Sequence, residues 1–279
     1  MAKNTNAYLK KNQWWKFVIS FLVIVIYLLP IYAVIAMAFK SPQDLGPRLQ
    51  LPRGLYLGSF QKSIRNGNIL NALKNTAIIT LGVVSIEVFA GCLASYPLAR
   101  NRSRMNKAIL NFILAIMMIP TLSIVAGVYK LLVTVKAVST YWGIICVTAA
   151  FGLPLSIFLY SNFIRAIPVS LDEAAAIDGA SVFQTFIHVI LPQLAPVTVS
   201  VIIMKGIGAW NEFDFSLYVL QKSNMYNITL TIKQFFSESA TDLNAAAAGA
   251  LLGILPPILI YLFLQRYFVQ GAIDSAVNG

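Results

Sequence analysis

From Phe17 to Phe39 the chain runs twenty-three residues without a charged side chain, and five further apolar stretches of similar length follow. They cover about Asn75 to Ala99, interrupted only by Glu87; about Ala108 to Tyr129; the uncharged run Ala137 to Ile164; about Pro196 to Val219, carrying Lys205, Glu212 and Asp214; and about Leu243 to Gln265. At about 1.5 Å per helical residue, each is long enough to cross a hydrocarbon layer of roughly 30 Å. Charged residues make up 11% of the chain, against roughly 25% in a soluble domain. The expected fold is therefore an all-α integral membrane protein with six transmembrane helices.

The net charge of +11 would suggest nucleic acid on a soluble protein. Here the positives fall between apolar blocks, where they set topology instead. With the N-terminus inside, Lys/Arg are shared ten and ten between the two faces. The orientation then rests on Lys3, Lys10, Lys11 and Lys16 before the first span and on Arg100, Arg102, Arg104 and Lys107 after the second. Both groups favour cytoplasmic N- and C-termini, because the first helix and short loops dominate. Ala36-Met37-Ala38 has the form of a signal-peptidase site, but the apolar stretch is too long for a signal h-region, and the span is expected to be retained.

The segment between spans four and five is too long for a passive bundle connection, typically 2–8 residues. It reads IPVSLDEAAAIDGASVFQTFIHVILPQLAP from Ile167 to Pro196. Ser170 and Glu173 stand at capping-box spacing, as do Ser181 and Gln184. Asp172 and Glu173 suit a first turn, where the helix dipole favours negative charge. Gly179 suits a left-handed C-terminus. Phe183, Phe186, Ile187 and Ile190 fall on one stripe, with His188 opposite. Pro192 and Pro196 are expected to end the second helix and launch span five. Two short helices over about 168–192, lying across one membrane face, either seal the bundle end or receive a partner. The small Ala174, Ala175 and Ala176 would let another surface approach closely.

Glu173-Ala174-Ala175, Asp178-Gly179-Ala180, Leu191-Pro192 and Pro196 form a 24-residue pattern that resembles the EAA loop of ABC-importer permease subunits. Trp210-Asn211-Glu212-Phe213 resembles a segment of the carbohydrate-uptake branch related to the maltose permeases. Thr229-Leu230, Ala245 to Ala248, Pro256, Gln265-Arg266-Tyr267-Phe268-Val269 and Gly271 are similar to that branch's C-terminal stretch. So are Phe39-Lys40-Ser41 and Ala94-Ser95-Tyr96-Pro97-Leu98-Ala99-Arg100 nearer the start. The tail Asp274 to Gly279 departs from the branch's Gly- and Lys-containing ending, and Glu87 stands where the family usually has a neutral residue.

The resemblance implies three regions: an N-terminus, first span and outer loop (1–70), a permease core (71–266), and a cytoplasmic tail (267–279). It implies a bacterial or archaeal cytoplasmic membrane and a second permease subunit. Two cytoplasmic ATPase subunits would hold ATP and Mg, and an extracytoplasmic solute-binding protein would deliver a carbohydrate. Glu173, Ala174, Ala175, Asp178, Gly179, Ala180, Phe183, Leu191 and Pro192 would couple to the ATPase. An oligosaccharide is the expected cargo, with a polyol or glycerol-phosphate as the competing substrate and an ion-coupled carrier as the competing mechanism. No inverted repeat of the kind such carriers use is evident.

Glu87 and Lys205 are opposite charges near mid-span, where a charge costs at least roughly 2.5–3.5 kcal/mol. They pair inside the bundle, or line a substrate path, or reach an interface. Trp210, Asn211 and Glu212 join that candidate path, although a packing role for Trp210 is the commoner case. Glu212 and Asp214, two residues apart, would face different sides of a helix. Tyr56 and Phe60 would contact a binding protein or lipid. Gly249 and Gly253 form a GxxxG that permits close helix packing.

Cys92 and Cys146 lie inside apolar runs and His188 is the lone histidine, so neither a metal centre nor a disulfide framework is expected. The sequence contains no G-x-x-x-x-G-K-[ST] phosphate loop. Neither catalysis nor a cofactor is expected in this chain, and beyond its subunits and cargo only membrane lipid, not nucleic acid, is an expected partner.

Overall fold

The structure, a computed structural model, describes residues 14–44, 46–47, 49–101, 103–237 and 242–277. Residue 237 and residues 264–277 are described by backbone alone. Lys3, Lys10, Lys11, Arg102, Asn278 and Gly279, and the side chains of Gln265 to Val269 and Asp274, therefore lie outside the described residues. The described residues are mostly helical, and among them there is no strand. Four helices are long and apolar enough to cross a membrane, or six if each of two sharply bent pairs counts as one span.

The chain divides into two compact units. The first comprises residues 1–67 and 235–252. It contains α1 (Trp14–Ala38), the short α2 (Gly58–Arg65) and the beginning of α13 (Leu243–Val277). Most α1 side chains are exposed around the whole circumference, as a lipid-facing helix requires. Only its foot is packed: Ala38 is buried with Ala247 and Ala248, beside Phe39 and Phe60. Phe60, a candidate outer contact, stacks obliquely on Phe39 with ring centroids 5.0 Å apart. The loop between α1 and α2 is held by Lys40, whose Nζ donates to the carbonyls of Gly46 (3.1 Å) and Pro47 (2.5 Å).

The second unit, residues 68–234 and 253–279, is built on α3 (Ile69–Arg100) and α6 (Tyr141–Ala166). Ile79, Val83, Glu87, Gly91, Ser95 and Ala99 recur along α3 at intervals of four and are all buried. One apolar cluster joins the first half of α3 to α6 through Ile79, Val83, Ile144 and Val147. A second joins the far ends: Cys92, Tyr96 and Ala99 pack with Tyr160, Ile164, Phe186, Ile190, Leu194, Val197 and Val201.

Two expected spans are broken. The third consists of α4 (Arg104–Ile116) and α5 (Thr121–Thr134), meeting at 100°. At 13 and 14 residues, each is only about 20 Å long. Pro120 is the physical cause: it lacks an N–H for the ladder and disfavours helical geometry at Ile119, and it caps α5 at ψ 124°. The fifth span stops early, because α10 (Ala195–Trp210) ends at Asn211 and the chain turns through 211–215 before the short α11 (Ser216–Val219). Glu212 and Asp214 thus lie in a turn rather than on opposite faces of a helix. A 3₁₀ turn, Ser223–Met225, and α12 (Ile228–Ser237) complete the described elements before α13, which runs past its expected end to Val277.

Candidate functional site

The segment between α6 and α10 folds as the two expected short helices. The first, α7 (Ser170–Ile177), begins one residue earlier than its capping pattern suggests. Val169 takes the cap position in helical conformation, so Ser170 lies inside the helix and the Ser170–Glu173 box does not form. The backbone supplies the first bonds instead, with Asp172 N–H and Glu173 N–H both donating to the Val169 carbonyl. The C-terminus matches expectation. Gly179 has φ +81°, Ala180 N–H donates to Ala175 carbonyl at 2.9 Å and Gly179 N–H to Ala176 carbonyl at 3.1 Å. That is the Schellman pairing, which satisfies carbonyls a helix end would otherwise orphan.

Beyond the turn, α8 (Val182–Thr185) opens on a complete capping box. Ser181 N–H donates to Gln184 Oε1 at 2.8 Å and Gln184 N–H donates to Ser181 Oγ at 3.3 Å. A π-helical turn, Phe186–Ile190, follows and leads into α9 (Leu191–Gln193). The expected four-residue stripe is kept only in part, because Phe183 lies at the hairpin tip, before the residues that pack on the core. Phe186 and Ile190 are buried and Phe183 is not. Pro192 sits inside α9, and the chain bends by 71° where α10 begins. His188 is exposed, as its place opposite the stripe suggests, and its Nδ1 lies 3.1 Å from the Gln184 carbonyl.

The outcome is a helical hairpin rooted in the core with an uncovered tip. Ala175, Phe186 and Ile190 face inward, and Ile177 (86% exposed), Val182 (75%) and Phe183 (66%) form the apolar end around Gly179. Glu173, Ala174, Ala176, Asp178 and Leu191 are also exposed. A Cβ built on Gly179 meets nothing within 4 Å, so the cost of a side chain there is backbone strain alone. Gly179→Val is expected to cost about 1–2 kcal/mol locally, seen as roughly 5- to 30-fold faster amide exchange over residues 177–182. Unchanged exchange there would contradict the strained turn.

The root of the hairpin is polar. Arg100, the last residue of α3, donates from Nη1 to the carbonyls of Ile164 (3.0 Å) and Ile167 (2.9 Å) at the end of α6. Its Nη2 lies 2.8 Å from Asp172 Oδ2. Tyr96 Oη donates to Asp172 Oδ1 at 2.7 Å, and its ring leans on Phe186 with centroids 5.2 Å apart. Asn106 of α4 donates to the carbonyls of Pro97 (3.1 Å) and Asn101 (2.8 Å), closing the corner. The sequence offered Asp172 as a first-turn acid but nothing in its spacing pointed to a partner 72 residues upstream.

Midway along the buried face of α3, Glu87 and Lys205 meet. The Nζ–Oε2 distance is 3.6 Å, and Glu87 is 1% exposed. Lys205 Nζ donates to Gly152 carbonyl at 2.5 Å, and Ser156 Oγ donates to Glu87 Oε2 at 3.1 Å. Of the three arrangements open from sequence, the geometry is that of a pair inside the helix bundle. Gly152 makes room for it, since a Cβ there would overlap the Glu87 carboxylate.

Trp210, Asn211 and Glu212 do not join this pair. Trp210 is buried and its Nε1 donates to Gly253 carbonyl at 3.0 Å, a packing contact on the GxxxG of α13. Asn211 Nδ2 donates to its own helix at Ile207 carbonyl, 2.9 Å. The Glu212 carboxylate accepts from Phe215 N–H (2.7 Å), Ser216 N–H (3.0 Å) and the Ser216 hydroxyl, and so caps α11. Its carbonyl accepts from Asn227 Nδ2 and Thr229 Oγ1, both at 2.7 Å. Further anchors hold this loop: Asn75 Nδ2 donates to the carbonyls of Asn224 and Tyr226, both 2.9 Å, and Tyr141 Oη donates to Asn75 Oδ1 at 2.7 Å. Sequence reading singled out neither Asn75 nor Asn227. Among the described residues no group of His, Cys, Asp and Glu could hold a metal ion.

Residues 87–274 match the family described as binding-protein-dependent transport system inner membrane component. The chain is 34% identical over 252 residues to the melibiose/raffinose/stachyose import permease of Bacillus subtilis (strain 168), covering 90% of this chain and 91% of that one. It is 31% identical over 280 residues to a probable starch degradation products transport system permease of Thermoanaerobacterium thermosulfurigenes, covering 97% and 100%. Its fold is that of a chain in the crystal structure of a bacterial ABC transporter involved in the import of the acidic polysaccharide alginate. The TM-score is 0.79 at 19% identity, over 91% of this chain and 95% of that chain.

Proposed function

The chain belongs to the family of binding-protein-dependent transport system inner membrane components, and from that premise we propose that it is the permease subunit of an ATP-driven oligosaccharide importer. The relatives named for melibiose, raffinose and stachyose and for starch degradation products support the cargo class. The α7–α8 hairpin supports the coupling role: its apolar tip is left exposed among the described residues, and its root is fastened to the ends of α3 and α6. In this reading two cytoplasmic ATPase subunits dock beneath the permease pair, and one of them seats on Ile177, Val182 and Phe183 with Glu173, Ala174, Ala176 and Asp178 at the rim. A second permease subunit completes the path, and an extracytoplasmic binding protein loads it. Both termini are cytoplasmic. ATP-driven closure of the ATPases displaces the hairpin as a rigid body and switches the spans between inward- and outward-facing states, the logic of alternating access around a fixed site. This chain supplies no catalytic group; hydrolysis, with Mg, belongs to the ATPase.

The observation that carries this reading is the exposed hairpin tip on a core-anchored root. The test is ATPase activity of the complex that co-purifies with the tagged chain in mild detergent. It is titrated with raffinose, stachyose, maltotriose, glucose, glycerol and glycerol 3-phosphate, each with the system's binding protein. Stimulation by raffinose, stachyose or maltotriose is expected. Stimulation by glycerol or glycerol 3-phosphate alone would overturn the cargo and keep the machinery. Absence of any co-purifying ATPase, with uptake abolished by ionophores, would overturn the machinery in favour of an ion-coupled carrier.

A further inference from the structure

Arg100, Asp172 and Tyr96 form one connected group at the junction of α3, α6 and α7, and the coupling reading alone does not assign them a role. Arg100 uses two directions of its planar fork: one nitrogen donates to the carbonyls of Ile164 and Ile167 at the C-terminal end of α6, the other pairs with the Asp172 carboxylate on the first turn of α7. A lysine has a single point charge on a flexible stem and does not reproduce that geometry. Asp172 is in turn held from its other oxygen by Tyr96, four residues before Arg100 on the same face of α3. The surroundings are largely apolar: Tyr96, Ala99, Ile164, Ile167 and Phe186 are all buried there, around a half-buried Arg100 and Asp172. An ion pair among apolar side chains is screened much less than one in water, and the Tyr96 hydroxyl adds a hydrogen bond that fixes the direction of the carboxylate.

We infer that Arg100, Asp172 and Tyr96 are positioning residues that lock the first hairpin helix to the ends of α3 and α6. A push on the hairpin tip is then delivered to the membrane spans instead of being absorbed at the loop. The inference rests on the proposed coupling role. Its geometry carries it further than packing would. Between α6 and α7 lie only Ile167, Pro168 and Val169, a connection that fixes distance but not direction. Without a second attachment, α7 pivots about that connection. Asp172 provides the second attachment, one turn into the helix, and ties it to a different span.

The experiment places spin labels at two exposed positions outside the proposed docking tip, Leu171 on α7 and Leu93 on α3, in the assembled complex. Exposed Cys146 is replaced by Ser, whereas Cys92 is buried and is left in place. Distances are measured without nucleotide and after trapping with ATP and vanadate. With the native group, the two distance distributions are expected to coincide. In Asp172→Asn or Arg100→Lys, trapping is expected to displace the α7 label. The displaced population should rise from under about a tenth, typical of a minor conformer, to the majority. Tyr96→Phe should have the smaller effect, and Asp172→Glu should restore the native behaviour because it keeps the charge pair.

A purely structural role would lower the yield of assembled complex without producing a nucleotide-dependent shift. Two outcomes overturn the inference: a native hairpin that moves against α3 on trapping, or Asp172→Asn and Arg100→Lys distributions that stay native. Ile177→Asp separates this result from the coupling reading. Retained ATPase in that variant counts against docking at the tip, whatever the labels report. Lost ATPase in that variant together with a native-like Asp172→Asn distribution counts against the positioning group alone.

Discussion

Ile177→Asp, and independently Phe183→Asp, is expected to release the ATPase subunits while leaving the chain inserted and folded. Both side chains are largely exposed in this chain, so neither substitution opens a cavity or buries a charge within it. If a partner surface covers the tip, a carboxylate there must be desolvated against apolar contact. Truncating an anchor at the centre of an interface typically costs about 2–4 kcal/mol, roughly 30- to 1,000-fold in affinity. Pull-down of the ATPase with the tagged chain measures it directly, and sugar uptake should fall in parallel. Glu173→Arg, on the rim, should likewise abolish transport with insertion intact. Wild-type pull-down and uptake in both Ile177→Asp and Phe183→Asp would show that the tip receives nothing.

The second large effect lies at mid-membrane. Removing one partner of a buried ion pair typically costs about 3–5 kcal/mol, because the other charge is left uncompensated. Glu87→Ala leaves Lys205 with only the Gly152 carbonyl, and the assembled complex should lose most of its heat resistance in detergent, read by size-exclusion after a temperature series. Glu87→Leu with Lys205→Met should recover it to within about 1–2 kcal/mol, since paired replacement by apolar groups is often neutral. Gly152→Ala should be nearly as damaging as Glu87→Ala in the native background and almost silent once Glu87 is Ala, because the overlapping carboxylate is then gone. Equal cost for Gly152→Ala in both backgrounds would show that the glycine serves the helix contact and not the carboxylate. If Lys205→Met alone changes which saccharide stimulates ATPase, the pair also bears on the substrate path.

Much of this architecture is written in local chemistry. Long apolar runs mark α1, α3, α6 and α13 because backbone amides in lipid must be satisfied within their own helix. Gly179 and the Ser181–Gln184 box also announce the hairpin turn, since both devices act within a few residues of themselves. Where reading failed, a competing local signal was outvoted. Pro120 was visible, yet the apolar run around it reads as a continuous span, and it was the missing N–H that decided. Asn211 and Asp214 are helix-weak residues inside another apolar run, and the Glu212 carboxylate caps the separate short helix that follows. Ser170 failed as a cap because Pro168 and Val169 already start the helix one residue sooner. The Arg100–Asp172 and Glu87–Lys205 contacts join residues 72 and 118 positions apart, and no periodicity carries such pairings. Only the sign of Glu87 against Lys205 hinted at one.

The four residues from Asp178 to Ser181 between α7 and α8 have a consequence for how this chain tolerates changes of length. All of that turn is committed: Asp178, Gly179 and Ala180 donate backward to α7, and Ser181 opens α8 from both its backbone and its hydroxyl. One inserted residue would break the bond from Ala180 to Ala175 or the box. The helix beyond would be re-aimed by up to about 100°, the angular step of one helical residue. The longer stretch between α1 and α2 carries fewer such bonds per described residue. Insertions and deletions should therefore accumulate in that longer stretch and be purged from 178–181, even where the amino acids themselves are free to vary.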